Sequence, residues 1–283
     1  MIEQILRQML WDSPRSISQM QNDEDGDLYS VWRLDYPDKS YILKQAKGNE
    51  CAIYQQYFMH PAVYAPEIHG ITHFENKDYL LMEYISGHDL KKCNREDLIR
   101  VLDSLIHMQK DFWQAPDPLD SFAHSLNRRN NRRAFLPELR LVRAYDAYLE
   151  AYQSMPRCLC HDDLLPFNVI LSQDRAVLID WEVGGILPYP TSLARLIAHG
   201  EEKEDAFFYM KESDRAYAMD YYYQHFVEQL GISRADFNRS MALCLFYEYC
   251  EWVYVGNKYG DTQNARYRHY LKKAMSFAAD LGF

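Results

Sequence analysis

The sequence predicts an α+β fold: a small β-rich lobe over 1–84, then a larger, mainly helical lobe over 85–283, with a hinge at about 83–88. Three observations carry this. Runs of β-branched and aromatic residues, broken by turn residues, fill the N-terminal lobe. After "SGHD" (86–89) the apolar residues recur at helical spacing instead. Within the helical lobe the stretch "LCHDDLLPFNVIL" (159–171) sets His161, Asp163 and Asn168 close together and runs straight into apolar strand-like residues. A chain of 283 residues suits one large domain or two lobes sharing a cleft.

Taken in order, "MIEQILRQMLWD" alternates apolar and polar residues at helical spacing, with Glu3 and Arg7, and reads as an amphipathic helix. "LYSVWRLDY" (28–36) and "SYILKQA" (40–46) flank the turn signal "PDK" and read as a hairpin. "NECAIYQQYFM" (49–59) has a helical apolar repeat and stops before Pro61. "PEIHGITHFE" and "DYLLMEYI" return to strand character across a turn at Asn76-Lys77, which completes a small sheet with one helix across it. Beyond the hinge, Asn94 caps a helix through "EDLIRVLDSLIHMQKDFW", whose first turn carries Glu96 and Asp97 where the helix dipole favours them. A second helix covers about 137–153, and a long one starts at Ser233 and runs to Gly256.

Composition narrows the function. The net charge of −10 argues against a nucleic-acid partner and leaves a cationic small molecule open. The basic cluster "NRRNNRRAF" (127–135) reads as a solvated loop or helix face. No uncharged apolar run is long enough for a membrane span, and the N-terminus lacks the continuous apolar core of a signal peptide, so the expectation is a cytoplasmic protein with no membrane partner. The cysteines form no C-x-x-C pair and read as free thiols. His69 and His73 lie in a strand-like run, which does not bring them together on a metal.

The chemistry gathers in His161-Asp162-Asp163-Leu164-Leu165-Pro166-Phe167-Asn168 and the two apolar runs after it, "VILS" and "AVLID". A three-residue loop at 173–175 closes those runs into a hairpin whose register sets Asn168 opposite Asp180, with Asp163 close by. A carboxamide and a carboxylate there are hard oxygen ligands that suit Mg²⁺. Phosphoryl transfer needs such a metal, a cation on the nucleotide and a carboxylate to orient the attacking hydroxyl. Asp163 is the candidate base, and His161 braces the loop. A surface turn can supply an isolated H-x-D, so the weight rests on the whole set in one order.

That order resembles a known family. H-x-D-L-x-x-x-N followed by an Asp at the end of the next hairpin strand is the protein-kinase signature, and "CHDDLLPFNVIL…AVLIDWE" is similar to the aminoglycoside phosphotransferase and choline kinase family. The resemblance spans about 25–200. It implies a protein-kinase-like two-lobed fold and transfer of the γ-phosphoryl group of ATP, with GTP left open, to a small-molecule hydroxyl. It implies that Lys44 grips phosphate, that Glu50 pairs with it, and that the backbone at Glu83 and Ile85 in "LLMEYISG" holds adenine. Trp181-Glu182 stand where protein kinases carry Phe-Gly. Two positions depart from the pattern. The expected phosphate loop, "NDEDGDLYSVW", has the single glycine Gly26, and Ser192 stands where the family places an Asp that supports the catalytic loop.

The acceptor is open among aminoglycosides, choline-like amino alcohols and unrelated metabolites. Glu248, Glu251 and Trp252 fall on neighbouring helical positions and could hold an ammonium group, although core packing also explains the aromatics there. A kinase-shaped nucleotide-binding or regulatory module with little turnover is the alternative. Other phosphate, zinc and hydrolase signatures are absent: no G-x-x-x-x-G-K-[ST], H-E-x-x-H or G-x-S-x-G occurs.

Overall fold

The computed structural model describes residues 1–22, 26–200 and 208–283. The first elements are α1 (Ile2–Gln8), β1 (Ser16–Gln21), β2 (Leu28–Asp35), β3 (Ser40–Gln45), α2 (Glu50–Tyr57), β4 (Ile68–Phe74) and β5 (Lys77–Glu83). Then come α3 (Arg95–Asp111), α4 (Ser121–Arg133), α5 (Leu139–Ser154), β6 (Arg157–Cys160), β7 (Val169–Leu171), β8 (Ala176–Leu178) and β9 (Gly185–Pro188). The chain ends with α6 (Thr191–Ala198), α7 (Glu212–Tyr222), α8 (Arg234–Tyr259) and α9 (Ala265–Asp280). These elements divide into two compact units, one of 1–89 with 168–184 and one of 90–167 with 185–283.

The first unit is built on an antiparallel sheet of order β1-β2-β3-β5-β4. Alternation decides which face is covered: Trp32 and Leu34 on β2 and Tyr41 and Leu43 on β3 point into one core, closed by Ile5 and Leu6 of α1. The expected hairpin of β2 and β3 forms, with Tyr36 N–H donating to the Lys39 carbonyl across the turn at 2.9 Å. The β4–β5 turn uses Glu75 and Asn76, both left-handed at φ 49° and 60°, one position earlier than expected. A paired left-handed turn of this kind matches the strand twist. Sequence patterning misses β1, because every residue of this edge strand is exposed and no alternation marks it.

The second unit is helical, with a small β6–β9 ladder. Asn94 caps α3 as expected, its side chain accepting from Asp97 N–H at 3.0 Å. Ser233 does the same for α8, accepting from Asp236 N–H at 3.1 Å. That helix passes Gly256 and stops at Gly260, whose φ of 74° suits glycine. A Cβ at Gly256 would lie 2.3 Å from the Tyr267 ring, so the glycine lets α9 approach closely. Most of the basic run at 127–135 lies on helix α4, a helix face being one of its two expected forms, but Arg129 turns inward and is buried. The inward residues of α4, Ser121, Ser125 and Arg129, are polar, so hydrophobic periodicity is silent there. No helix among the described residues is long and apolar enough to cross a membrane.

Candidate active site

The hairpin after Asn168 forms, in a register one residue from the expected one. Val169 pairs with Leu178, and the Asn168 carbonyl accepts from Ile179 N–H at 3.0 Å, so Asn168 lies opposite Ile179 and not Asp180. The cause is Ser172. Its N–H donates to the Arg175 carbonyl at 2.9 Å, and its Oγ accepts from Arg175 N–H at 3.2 Å, so Arg175 pairs back to Ser172 and two residues, not the expected three, lie between them. Asp180 follows the strand in a left-handed conformation, φ 69°.

That turn brings the Asp180 carboxylate to Lys44. Lys44 Nζ donates to Asp180 Oδ1 and to Glu50 Oε1, both at 2.6 Å. Lys44 is fixed on β3 between Val31 and Leu80, and Glu50 opens α2 with its side chain fully buried. Burial alone would lower the Lys44 pKa, but the Glu50 and Asp180 charges outweigh it and the net shift is upward. The ammonium therefore persists at neutral pH. Gly48 sets the entry to α2: its φ is 52°, and a Cβ there would sit 2.7 Å from the Glu182 carbonyl oxygen. Asn49 N–H donates to the same carbonyl at 3.1 Å, which ties the start of α2 to the segment just after Asp180.

A carboxylate and a carboxamide are oxygen donors of the kind that Mg²⁺ takes. Asp180 Oδ2 makes no hydrogen bond among the described residues, its side chain is 40% exposed, and Asn168, itself buried, directly precedes β7 of the same hairpin. One carboxylate and one amide oxygen leave room in the coordination shell for water and phosphate, as Mg²⁺ prefers.

Asp163 belongs to the second unit, where Arg195 of α6 holds it. Arg195 donates from Nε and Nη2 to Asp163 Oδ1 at 2.9 and 2.8 Å, and from Nη1 to Glu248 Oε2 at 2.9 Å and to Glu251 Oε2. Burial raises the Asp163 pKa more than Arg195 lowers it, and the carboxyl is pushed up to about 6. His199, Glu248 and Glu251 carry ligand atoms within 4.8 Å of one another, but Arg195 Nη1 hydrogen-bonds all three and supplies the positive charge there. His161 is fully buried, and its backbone N–H donates to Ser192 Oγ at 2.9 Å. The serine that replaces the family's Asp thus still anchors the loop. Arg195 escaped the sequence reading; as the one charged residue in "TSLARLIA", it carried a usable signal.

Glu83 ends β5; its N–H donates to the Glu67 carbonyl at 3.0 Å, and its carboxylate takes Arg175 Nη2 at 2.6 Å. Ile85 is half-buried just beyond it. Glu248 and Glu251 come together through Arg195, whereas the Trp252 ring lies under Arg266 at 4.4 Å. Residues 23–25 of the expected phosphate loop lie outside the described residues.

Residues 21–222 match the sequence model of the phosphotransferase enzyme family, APH. No curated protein matches in sequence. Among solved structures, the chain resembles amicoumacin kinase hAmiN in complex with AMP-PNP, Ca²⁺ and Ami (10% identity, TM-score 0.68, 97% of this chain and 93% of that one). It also resembles a choline kinase from Cryptosporidium parvum Iowa II (14%, TM-score 0.62, 99% and 96%). A third is a thermostable mutant of aminoglycoside phosphotransferase APH(4)-Ia in ternary complex with ADP and hygromycin B (13%, TM-score 0.60, 98% and 97%). At such identities the likeness is one of fold, the protein-kinase-like α+β fold.

Proposed function

The chain belongs to the phosphotransferase enzyme family, and on that premise we propose that it is a small-molecule kinase, moving the γ-phosphoryl group of ATP to a hydroxyl with Asp163 as the base. The observation that carries the reading is the Lys44 ammonium, which joins Glu50 to Asp180, a residue 136 positions beyond Lys44 in sequence. A cation aligned by a buried carboxylate, beside an acidic residue at a hairpin end, is what a triphosphate requires. Lys44 would hold phosphate oxygens, and the backbone at Glu83 and Ile85 would hold adenine. Asn168 and Asp180 would hold Mg²⁺, which when bound neutralises charge on the phosphates. Asp163 orients the acceptor hydroxyl and takes its proton. Arg195 fixes the Asp163 carboxylate through Oδ1, and Ser192 fixes the backbone at His161.

For the acceptor, Glu248 and Glu251 stand one arginine away from Asp163. An ammonium group bound by them would share those carboxylates with Arg195 and bring a neighbouring hydroxyl to the base. This favours amino alcohols and aminoglycosides. The test is incubation with MgATP and a panel of aminoglycosides, amino alcohols and sugars. A phosphate ester of at least one hydroxyl compound is expected; ATP left unconsumed across the panel would remove the proposal.

The raised pKa of Asp163 gives a pH dependence. A base must be ionised, so kcat/KM rises with pH through about 6 and is level above it. The stability contribution has the opposite sign. The folded pKa exceeds the unfolded value of about 3.9, so this contribution is fully present below pH ~4 and is lost as pH rises through about 6. A pH–rate profile with no acid limb between about pH 5 and 7 would be inconsistent with Asp163 as the base.

A further inference from the structure

Between His161 and Asp163 stands a second carboxylate, Asp162, to which the proposed chemistry assigns no role. Its backbone is left-handed, φ 58°, and its side chain is only 4% exposed. A non-glycine residue persists in that conformation when its surroundings hold it. Two arginines of α4 do so. Arg129 Nη2 donates to Asp162 Oδ1 at 2.6 Å, Arg129 Nη1 to Oδ2 at 3.2 Å, and Arg128 Nη2 to Oδ2 at 2.6 Å. Arg129 is itself 1% exposed; its Nε donates to the Tyr148 hydroxyl at 2.7 Å, and the rings of Tyr152 and Tyr247 lie 4.5 and 4.6 Å from its guanidinium carbon.

Such a pair is a poor way to gain stability, because apolar residues of the same volume usually do as well or better. It is a good way to fix one backbone geometry, since a forked donor meeting a carboxylate allows little rotation. The residue whose geometry follows directly is Asp163. Resting on the reading of Asp163 as the base, we infer that Asp162, gripped by Arg129 and Arg128, is a positioning residue that sets the path of the catalytic loop. Arg195 holds the base by its side chain, Ser192 holds the loop at His161, and α4 holds the residue between them. Among the three anchors, only this one depends on a left-handed residue.

The test separates holding the loop from holding the fold. Glycine accepts a φ of 58° without strain, so Asp162→Gly keeps the backbone path open and removes the grip. Its expected effect is a kcat lower by about ten- to a hundredfold, the scale of a small misplacement of a reacting group, with KM for ATP within about twofold. Its melting temperature also falls, because Arg129 loses its counter-charge. In the double variant Asp162→Gly/Arg129→Met the melting temperature of the nucleotide-free protein recovers and kcat does not. Asp162→Asn, which tolerates the left-handed conformation, should show a smaller kcat loss in the same direction and serves if the glycine variant does not fold. Turnover is read with the acceptor found in the panel and as hydrolysis of MgATP by water. A wild-type kcat in Asp162→Gly, or a kcat that recovers together with melting temperature in the double variant, overturns the inference. Asp163→Asn is run beside them. If it is inactive while Asp162→Gly is fully active, the positioning inference alone falls; if it is active, the assignment of the base falls and this inference with it.

Discussion

Asp163→Asn should lose phosphoryl transfer by about 10³-fold or more, the upper end of the range for removing a general base, while MgATP binding stays at its wild-type level. The asparagine keeps the shape of the side chain and an oxygen that can accept from Arg195. Arg195 also keeps Glu248 and Glu251, so α6 and α8 remain tied. The groups proposed to hold nucleotide lie elsewhere in the chain: Lys44, Glu50 and Asp180 form their own cluster, with no member from the 159–167 segment. A calorimetric titration with MgATP should therefore give closely similar affinities for the two proteins. Turnover within about threefold of wild type would show that the acceptor hydroxyl needs no carboxylate from Asp163.

The second large effect is on Lys44. Lys44→Met strands a fully buried Glu50 without its cation, and breaking one partner from such a pair costs about 3–5 kcal/mol. Stability should then depend on pH in a defined sense. With Lys44 gone, Glu50 has burial and the nearby Asp180 charge to raise its folded pKa and no Lys44 to lower it. A raised folded pKa contributes stability at low pH that is lost as pH rises, so the variant should be nearer to wild type at pH 5 than at pH 8. Lys44→Met/Glu50→Gln should recover much of the melting temperature, since no unpaired buried charge remains, and should still bind MgATP poorly. Thermal unfolding at the two pH values, with and without MgATP, checks both halves. Equal melting temperatures for Lys44→Met and wild type at pH 8, or an unchanged nucleotide response, would contradict the role given to Lys44.

Much of this was legible in the chain because local chemistry decided it. Asn94 and Ser233 announced α3 and α8, since a capping side chain needs only the N–H groups of its own first turn. Lys44, Glu50 and Asp180 could be placed in order by resemblance, and the ammonium does join them. What escaped was set by contacts far along the chain or by a single side chain. Arg175 paired back to Ser172 and moved the register by one, a choice between two loop lengths that composition does not distinguish. Arg129 read as a member of a solvated basic run because its partner, Asp162, comes 33 residues later. Ser192 read as a lost support, yet its hydroxyl reaches the His161 N–H. The edge strand β1, exposed throughout, gave periodicity nothing to detect.

Transfer itself is the most direct measurement: ATP labelled in its γ-phosphoryl group, Mg²⁺, the hydroxyl panel, and two proteins, wild type and Asp163→Asn, at matched nucleotide occupancy. The expected result is label in a phosphate ester with the wild type and none above the enzyme-free control with the variant. Label from neither protein, or from both at the same rate, would contradict a kinase that works through Asp163.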